Sequence, residues 1–550
     1  MNQSSFQDPA WLHAVTLTER LESLRAIQSL SDGVHVNTEL AHRRLQRWRS
    51  QNPFTTDDPF AQRLAVDGLT EEEFLRLLGE PIEALHGRSP DLPSWLNELA
   101  NAYSRAESQV PAGALPEAPS NQQNVSLLSL IEPLIRQSSV RLDKGLQSLV
   151  ETYPELPFDA RTIKSILFAS LPGLYLMMLS RTLALEVNVA RLQGLLKGDT
   201  PEERFNNFVA GLRQPETALP ILREYPVLAR QFVIHINNWL SFHLEFLRHL
   251  CADWAAIRAT FSPEQDPGPV VQLEGDIGDS HRGGRSVLIV KFSSGFQVVY
   301  KPKSLTVDIH LQELLGWLNE RGTHAPFRTI KVLDRGAYGW TEFIQAQSCA
   351  STAELQCFYE RQGGYLALLY ALEATDFHYE NLIAAGEHPV LIDLESLFHP
   401  HVEGVEVTQA SGIVGTSLVY SVLRVGLLPQ RIWHNVEDEG IDLSGLGGAA
   451  GQLTPHNVPY WEKPGTDEMR LERKRVEMPG GKNRPSLNGV DVNPLEYRAD
   501  LIKGFNSVYR LLIRHRDELL AKDGPLLRFA SDEVRFIMRP TRIYALLLHE

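Results

Sequence analysis

Two acidic motifs, Asp376-Phe-His-Tyr-Glu-Asn381 and Asp393-Leu-Glu395, flank the stretch Leu382-Ile-Ala-Ala-Gly-Glu-His-Pro-Val-Leu-Ile392, and this arrangement constrains the fold more than any other part of the chain. The stretch between them reads as two short strands joined by a turn at Gly386 to Pro389, so a hairpin carries Asp393 back towards Asn381. Phosphoryl transfer needs such a grouping: one carboxylate beside the acceptor hydroxyl, with an Asn and a second carboxylate on the metal ions that bridge the nucleotide phosphates. Asp376 and Asn381 are five residues apart, the offset of the kinase catalytic loop. Alone this means little, because acidic residues at strand ends are common.

A lysine upstream strengthens the reading. Ser286-Val-Leu-Ile-Val-Lys-Phe292 and Phe296-Gln-Val-Val-Tyr-Lys301 are β-branched and aromatic runs around Ser293-Ser-Gly295, which predicts a hairpin with Lys301 at a strand end. Kinases place a phosphate-pairing lysine on such a strand, followed by a helix that supplies a glutamate partner. Apolar residues at 307, 311, 314, 315 and 318 give helical periodicity, and Glu313 lies on that helix. Glu313 either faces solvent or pairs with Lys301, and Lys301 is either this cation or an ordinary surface lysine.

Further motifs follow one another in order: Leu183-Ala-Leu-Glu186, Gly198-Asp-Thr-Pro-Glu-Glu-Arg-Phe205, Glu224-Tyr-Pro-Val-Leu-Ala-Arg230, Asp279-Ser-His281, Tyr300-Lys-Pro-Lys303, Ile392-Asp-Leu-Glu395, Gly415-Thr-Ser417 and Arg539-Pro-Thr541. With the Asp376 to Asn381 loop, they make the chain resemble the dehydratase region of a class II (LanM-type) lanthipeptide synthetase. The resemblance implies an α+β fold, with a helix-rich N-terminal region followed by a bilobal, lipid-kinase-like core. It implies an enzyme using ATP and Mg²⁺ to phosphorylate Ser or Thr of a ribosomally made precursor peptide, then eliminating phosphate to leave dehydroalanine or dehydrobutyrine. Lys301 would hold nucleotide phosphates, Asp376 would orient or deprotonate the hydroxyl, and Asn381 and Asp393 would bind magnesium. His378 is either catalytic or an organiser of the loop through its ring nitrogens. Arg535 and Thr541, six residues apart, take the family's elimination positions, and Asp279 and His281 are assigned to the same step.

Full-length members carry a cyclase domain with a Cys/Cys/His zinc site, for which this chain has no counterpart. It ends at Ala545-Leu-Leu-Leu-His-Glu550 inside an apolar pattern, which reads as truncation. Cyclisation is therefore not expected of it, while contact with a cyclase domain or with export machinery is. The alternatives are a kinase without elimination and a non-catalytic peptide-binding remnant.

A net charge of −15 over 550 residues argues against a general nucleic-acid binder. Cys251, Cys349 and Cys357 are too few and too oddly spaced for a disulfide framework or closed zinc site, which suits reduced thiols in the cytoplasm. Met1 to Asp8 lacks the start of a signal peptide. The apolar run Ser165 to Ser180 is broken by Pro172-Gly173 and falls short of the roughly 20 residues of a bilayer span, so it is predicted to be buried helix.

Punctuation along the chain predicts an N-terminal helical region over 1–106, a linker or long loop over 107–124, a helical subdomain over 125–262, a β-rich kinase-like N-lobe over 263–350 and a C-lobe over 351–550. Thr200-Pro-Glu-Glu203 has the signature of a capped helix start. Asp334-Arg-Gly-Ala-Tyr-Gly339 reads as a hairpin turn rather than a phosphate cradle. Leu443-Ser-Gly-Leu-Gly-Gly-Ala-Ala-Gly451 occupies the place of an activation segment. With Val414 to Ser417 and the charged run Glu462 to Lys482, it would wall a peptide groove, and 462–482 reads equally as a solvated loop.

Overall fold

The computed structural model describes residues 3–26, 36–51, 57–88, 92–104, 125–281, 283–400, 420–432 and 440–537. The fold is mixed, 55% helix and 13% strand, with helices up to Phe261 and antiparallel sheets interspersed with helices beyond it, consistent with an α+β class. The expected linker over 107–124 lies outside the described residues. Two compact units are present: Met1–Thr152, Leu167–Leu247 and Lys463–Arg470 form one, and Tyr153–Ile166, Arg248–Glu462 and Leu471–Glu550 form the other. The helical stretch over 125–262 thus contributes residues to both.

The first unit is helical. Its capping box forms as the sequence predicts: Thr200 Oγ1 accepts from the Glu203 amide at 3.1 Å, and the Glu203 carboxylate accepts from the Thr200 amide at 3.3 Å, opening the helix Pro201–Leu212. Residues Ile163–Leu192 are apolar and long enough to cross a membrane by length and composition. Within this stretch Tyr175, Leu179, Leu183 and Val187 recur every four residues and are fully buried, as in the core helix of a globular unit. The segment Lys463–Arg470 is not the contact-free loop that its charge suggests. Arg204 grips the fully buried Asp467 carboxylate through Nε at 2.5 Å and Nη2 at 3.2 Å, and Asn188 donates to the Met469 carbonyl at 2.9 Å.

The second unit is built on an antiparallel sheet of order β1-β2-β3-β5-β4: β1 Val270–His281, β2 Arg285–Phe292, β3 Gln297–Lys301, β4 Val332–Asp334 and β5 Gly339–Glu342. Leu288, Val290 and Phe292 alternate inward along β2, which fixes its register with β3 at Leu288 opposite Tyr300. Residues 335–338 close the β4–β5 hairpin, the turn read in the sequence. Behind β3 and β5, the buried Asp253 accepts from Trp340 Nε1 at 2.9 Å and Arg335 Nε at 2.8 Å, bracing the strand that ends in Lys301. The helix Thr306–Arg321 buries the 307, 311, 314, 315 and 318 face predicted for it.

A second hairpin follows the helix Thr352–Ala371: β6 Leu382–Ala385 and β7 His388–Leu391. Pro389 belongs to β7 and not to the turn. It lies opposite Ala384, whose amide and carbonyl point away from β7 to Lys482 and Gln347, so this pair exchanges no ladder bond and the missing N–H costs nothing. Cys251, Cys349 and Cys357 are free thiols.

Candidate functional site

The loop after the helix Thr352–Ala371 closes on itself around Asp376. This residue has left-handed backbone, φ 65°, and its carbonyl accepts from Asn381 Nδ2 at 2.8 Å and from the His378 amide at 3.0 Å. Phe377 is buried and its amide donates to Val425, which anchors the loop from below. His378 Nδ1 accepts from the Glu380 amide at 3.3 Å, and its Nε2 stands 4.0 Å from the Asp376 carboxylate. The ring therefore caps the turn Tyr379–Asn381 through Nδ1. The β6–β7 ladder then returns the chain as expected. The Ile392 amide donates to the Asn381 carbonyl at 3.0 Å, so Asp393 follows directly beside Asn381.

Lys301 and Lys303 meet this region from the end of β3. Lys301 Nζ donates to the Ile392 carbonyl at 2.8 Å and to Asp308 Oδ1 at 3.0 Å, both lysine and aspartate being buried. Glu313 does not reach it. Five helical residues turn the chain through about 140° from Asp308, so Glu313 emerges on another face and pairs with Arg528. Lys303 Nζ bridges Asp393 Oδ1 and Glu395 Oε2, each at 2.9 Å. Arg535 completes the chain of charges, with Nη1 at 2.6 Å from Glu395 Oε1 and its amide on the Glu395 carbonyl.

These charges set the protonation of the site. Burial pushes the half-exposed Asp376 carboxyl above the usual range, with Asp393 and Glu395 adding to the rise while His378 and Arg535 oppose it. At Asp393 burial also acts upward, yet the ammonium groups of Lys303 and Lys301 and the bonds to Lys303 and the Glu395 amide hold it below that range. Burial works against the charged form of Lys303, and the carboxylates of Asp393, Glu395 and Asp308 overcome it and raise the ammonium above its ordinary value.

The structure thus brings Lys301, Asp376, His378, Asn381, Asp393 and Arg535 together and leaves Glu313 apart. Asp279 and His281 lie on β1, but their side chains are outside the described residues, as are Gly415 to Ser417, Arg539 and Thr541. Three residues of the cluster were given no role from the sequence: Asp308, and Lys303 and Glu395, which close the motifs Tyr300-Lys-Pro-Lys303 and Asp393-Leu-Glu395. The available signal for Lys303 and Glu395 was their place in those motifs. No comparable signal marks Asp308, which looks like an ordinary first-turn acid.

Among the described residues no group of three or more His, Cys, Asp or Glu side chains is preset for a metal ion. The donors that fit a hard cation are fewer. Asn381 spends Nδ2 on the Asp376 carbonyl, leaving Oδ1, and Asp393 receives its bonds on Oδ1, leaving Oδ2. Two such oxygens suit Mg²⁺, which keeps waters and takes other ligands from phosphate.

Comparison with known proteins places this cluster in a wider setting. A family profile described as "Domain of unknown function (DUF4135)" matches residues 225–550, a span that contains every residue of the site. The chain is also 25% identical over 390 residues to the lacticin 481/lactococcin biosynthesis protein LcnDR2 of Lactococcus lactis subsp. lactis. That alignment covers 67% of this chain and 40% of the relative, so the match spans about two fifths of the relative's length.

Proposed function

Since the chain belongs to the DUF4135 family, found in LanM proteins, and is class II lanthipeptide synthetase-like, we propose that it is the dehydratase of such a system, acting on a precursor peptide with ATP and Mg²⁺. The observation that carries the proposal is the meeting of Lys301, Lys303, Asp376, Asn381, Asp393 and Arg535 around one small volume, from segments more than 200 residues apart in the chain. A lantibiotic-biosynthesis relative supports a peptide substrate.

In this reading residues 263–350 and 351–550 are the lobes of a lipid-kinase-like core, working in the cytoplasm where ATP is present. Magnesium, when bound, would neutralise the nucleotide phosphates, and Asn381 and Asp393 are the residues that would hold it. Lys303 binds phosphate oxygens, while the buried Lys301, spent on Asp308 and the Ile392 carbonyl, fixes the end of β3 beside Asp393. Asp376 accepts the hydroxyl proton of a peptide Ser or Thr as that oxygen takes the γ-phosphoryl group and ADP leaves, and its raised pKa brings it nearer the operating pH of a general base. Arg535 then binds the phosphoryl group of the same residue. A basic side chain takes the α proton, the freed electron pair forms the Cα=Cβ double bond, the Cβ–O pair leaves with phosphate, and the guanidinium offsets the charge developing there. By family resemblance Asp279, His281 and Thr541 assist this elimination.

Mass spectrometry of a Ser/Thr-rich peptide encoded beside the gene, incubated with the full chain and Mg-ATP, tests the proposal. Completed dehydration lowers the mass by about 18 Da per residue, and phosphorylation alone raises it by about 80 Da, as the groups exchanged in phosphoryl transfer require. A loss of mass supports the dehydratase. A stable gain shows a kinase without elimination, and no change with any adjacent peptide overturns both.

A further inference from the structure

The glycine-rich stretch Leu443 to Gly451 lies against the loop that carries Asp376. The Tyr379 amide donates to the Leu443 carbonyl at 3.1 Å, and His378 and Ser444 pair as an isolated antiparallel bridge. From there the strip turns tightly, the Gly447 amide donating to Ser444 at 2.9 Å and the Gly448 amide to Asp442 at 2.8 Å. Behind the turn sits Asn483, 1% exposed. Its Nδ2 donates to the carbonyls of Gly445 at 2.8 Å and Gly447 at 2.9 Å, while its Oδ1 is buried without a partner. Two carbonyls on one side fix the orientation of the amide, because a flip would set oxygen against oxygen.

The surroundings leave room for that amide and little else. A Cβ on Gly481 would fall 2.2 Å from Asn483 Oδ1 and 2.9 Å from the Tyr379 ring, and one on Gly448 would fall 2.8 Å from Tyr379 Cβ. A buried carboxamide with half its capacity unused is costly where an apolar side chain of similar size would fill the space. Its benefit must then lie in the two carbonyls it holds.

We propose that Asn483 is a positioning residue for the catalytic loop. By clamping Gly445 and Gly447 it stiffens the strip that grips His378 and Tyr379, and the strip in turn keeps Asp376 in its left-handed backbone. The catalytic meaning rests on the function proposed above, whereas the mechanical link does not, so the two are tested separately.

Hydrogen exchange of the full chain reads the link directly. In Asn483→Leu, a loss of two hydrogen bonds predicts exchange across 377–381 faster by at least about tenfold, with β3 and the helix Thr352–Ala371 unchanged. Asn483→Ala, which removes the same two bonds without the bulk of leucine, gives the same pattern and decides the matter if the first variant does not fold. Where the parent phosphorylates the adjacent peptide, kcat falls by about tenfold or more in both variants while KM for Mg-ATP stays within about twofold, since nucleotide contacts are untouched. Parental exchange over 377–381 in a folded variant overturns the proposal, as does a loss expressed only in KM. A parent without phosphotransfer defeats the functional reading alone, and exchange then decides this one.

Discussion

Lys301 and Lys303 stand two residues apart, on either side of Pro302, and occupy opposite surroundings. The first is sealed: its side chain is 7% exposed, and its Asp308 partner is 3% exposed. The second is open, with Lys303 and Asp393 each about one-third exposed and Glu395 one-fifth exposed. A buried pair with a third bond to a main-chain carbonyl acts as a strut, tying the end of β3 to the residue before Asp393. An open run of alternating charge, Asp393–Lys303–Glu395–Arg535, can instead exchange its partners for phosphate oxygens without burying any charge alone. Neighbouring residues of one type can thus divide the work, one fixing geometry and one meeting the ligand.

The largest expected effect is on the open side. Asp376→Asn should lower peptide phosphorylation by about 10²–10⁴-fold, the usual worth of a positioned base, in a chain that still folds. Retention of more than a tenth of the parental rate in a mass-spectrometric time course would remove Asp376 from the proton transfer. Next comes the sealed side. Asp308→Ala strands a buried ammonium, so denaturant unfolding should show about 3–5 kcal/mol less stability. A loss below about 1 kcal/mol would mean that Lys301 is hydrated, and the contrast between the two lysines would fail. Smaller again is Lys303→Met. Its partly exposed bridges predict a smaller stability change than at Asp308, on the order of 1 kcal/mol, with the main effect appearing as a raised KM for Mg-ATP. Equal kcat and KM in parent and variant would return the phosphate contact to Lys301.

Much of this was legible in the sequence, for reasons that particular residues make clear. The β2–β3 hairpin, the helix Thr306–Arg321 and the β6–β7 hairpin are all patterned locally, by alternation, by a 3.6-residue period or by a turn glycine. The cluster of Asp376, Asn381 and Asp393 was legible because a hairpin of fixed length joins its parts. Partner choice was not legible. Whether Lys301 takes Asp308 or Glu313 depends on how a helix is rotated over a sheet, a tertiary variable that apolar spacing fixes only for the buried face. Arg204 and Asp467 are 263 residues apart, so nothing near either one announces the other. Asn483 was overlooked for a related reason: its role lies in two backbone carbonyls, which carry no side-chain signature.

The smallest effect concerns the two carboxylates of the open site, which titrate in opposite senses. Asp393 lies below the ordinary carboxylate range, so it adds stability that is present above the unfolded pKa near 4 and lost as the pH falls through its folded value. Asp376 lies above that range. The native state then binds more protons than the unfolded state between the two values, and stability declines as the pH rises from about 4 through the folded pKa. Asp376→Asn removes that penalty, and Asn tolerates the left-handed backbone at this position. Thermal unfolding should therefore find this inactive variant slightly more stable than the parent at pH 7, by less than about 1 kcal/mol because the side chain is half exposed and screened. Near pH 3 the two should coincide. Asp393→Asn should do the reverse, losing stability at neutral pH and converging with the parent in acid. If Asp376→Asn is instead less stable than the parent at pH 7, burial and the neighbouring carboxylates do not oppose ionisation of Asp376, and the case for it as the base with a raised pKa is lost.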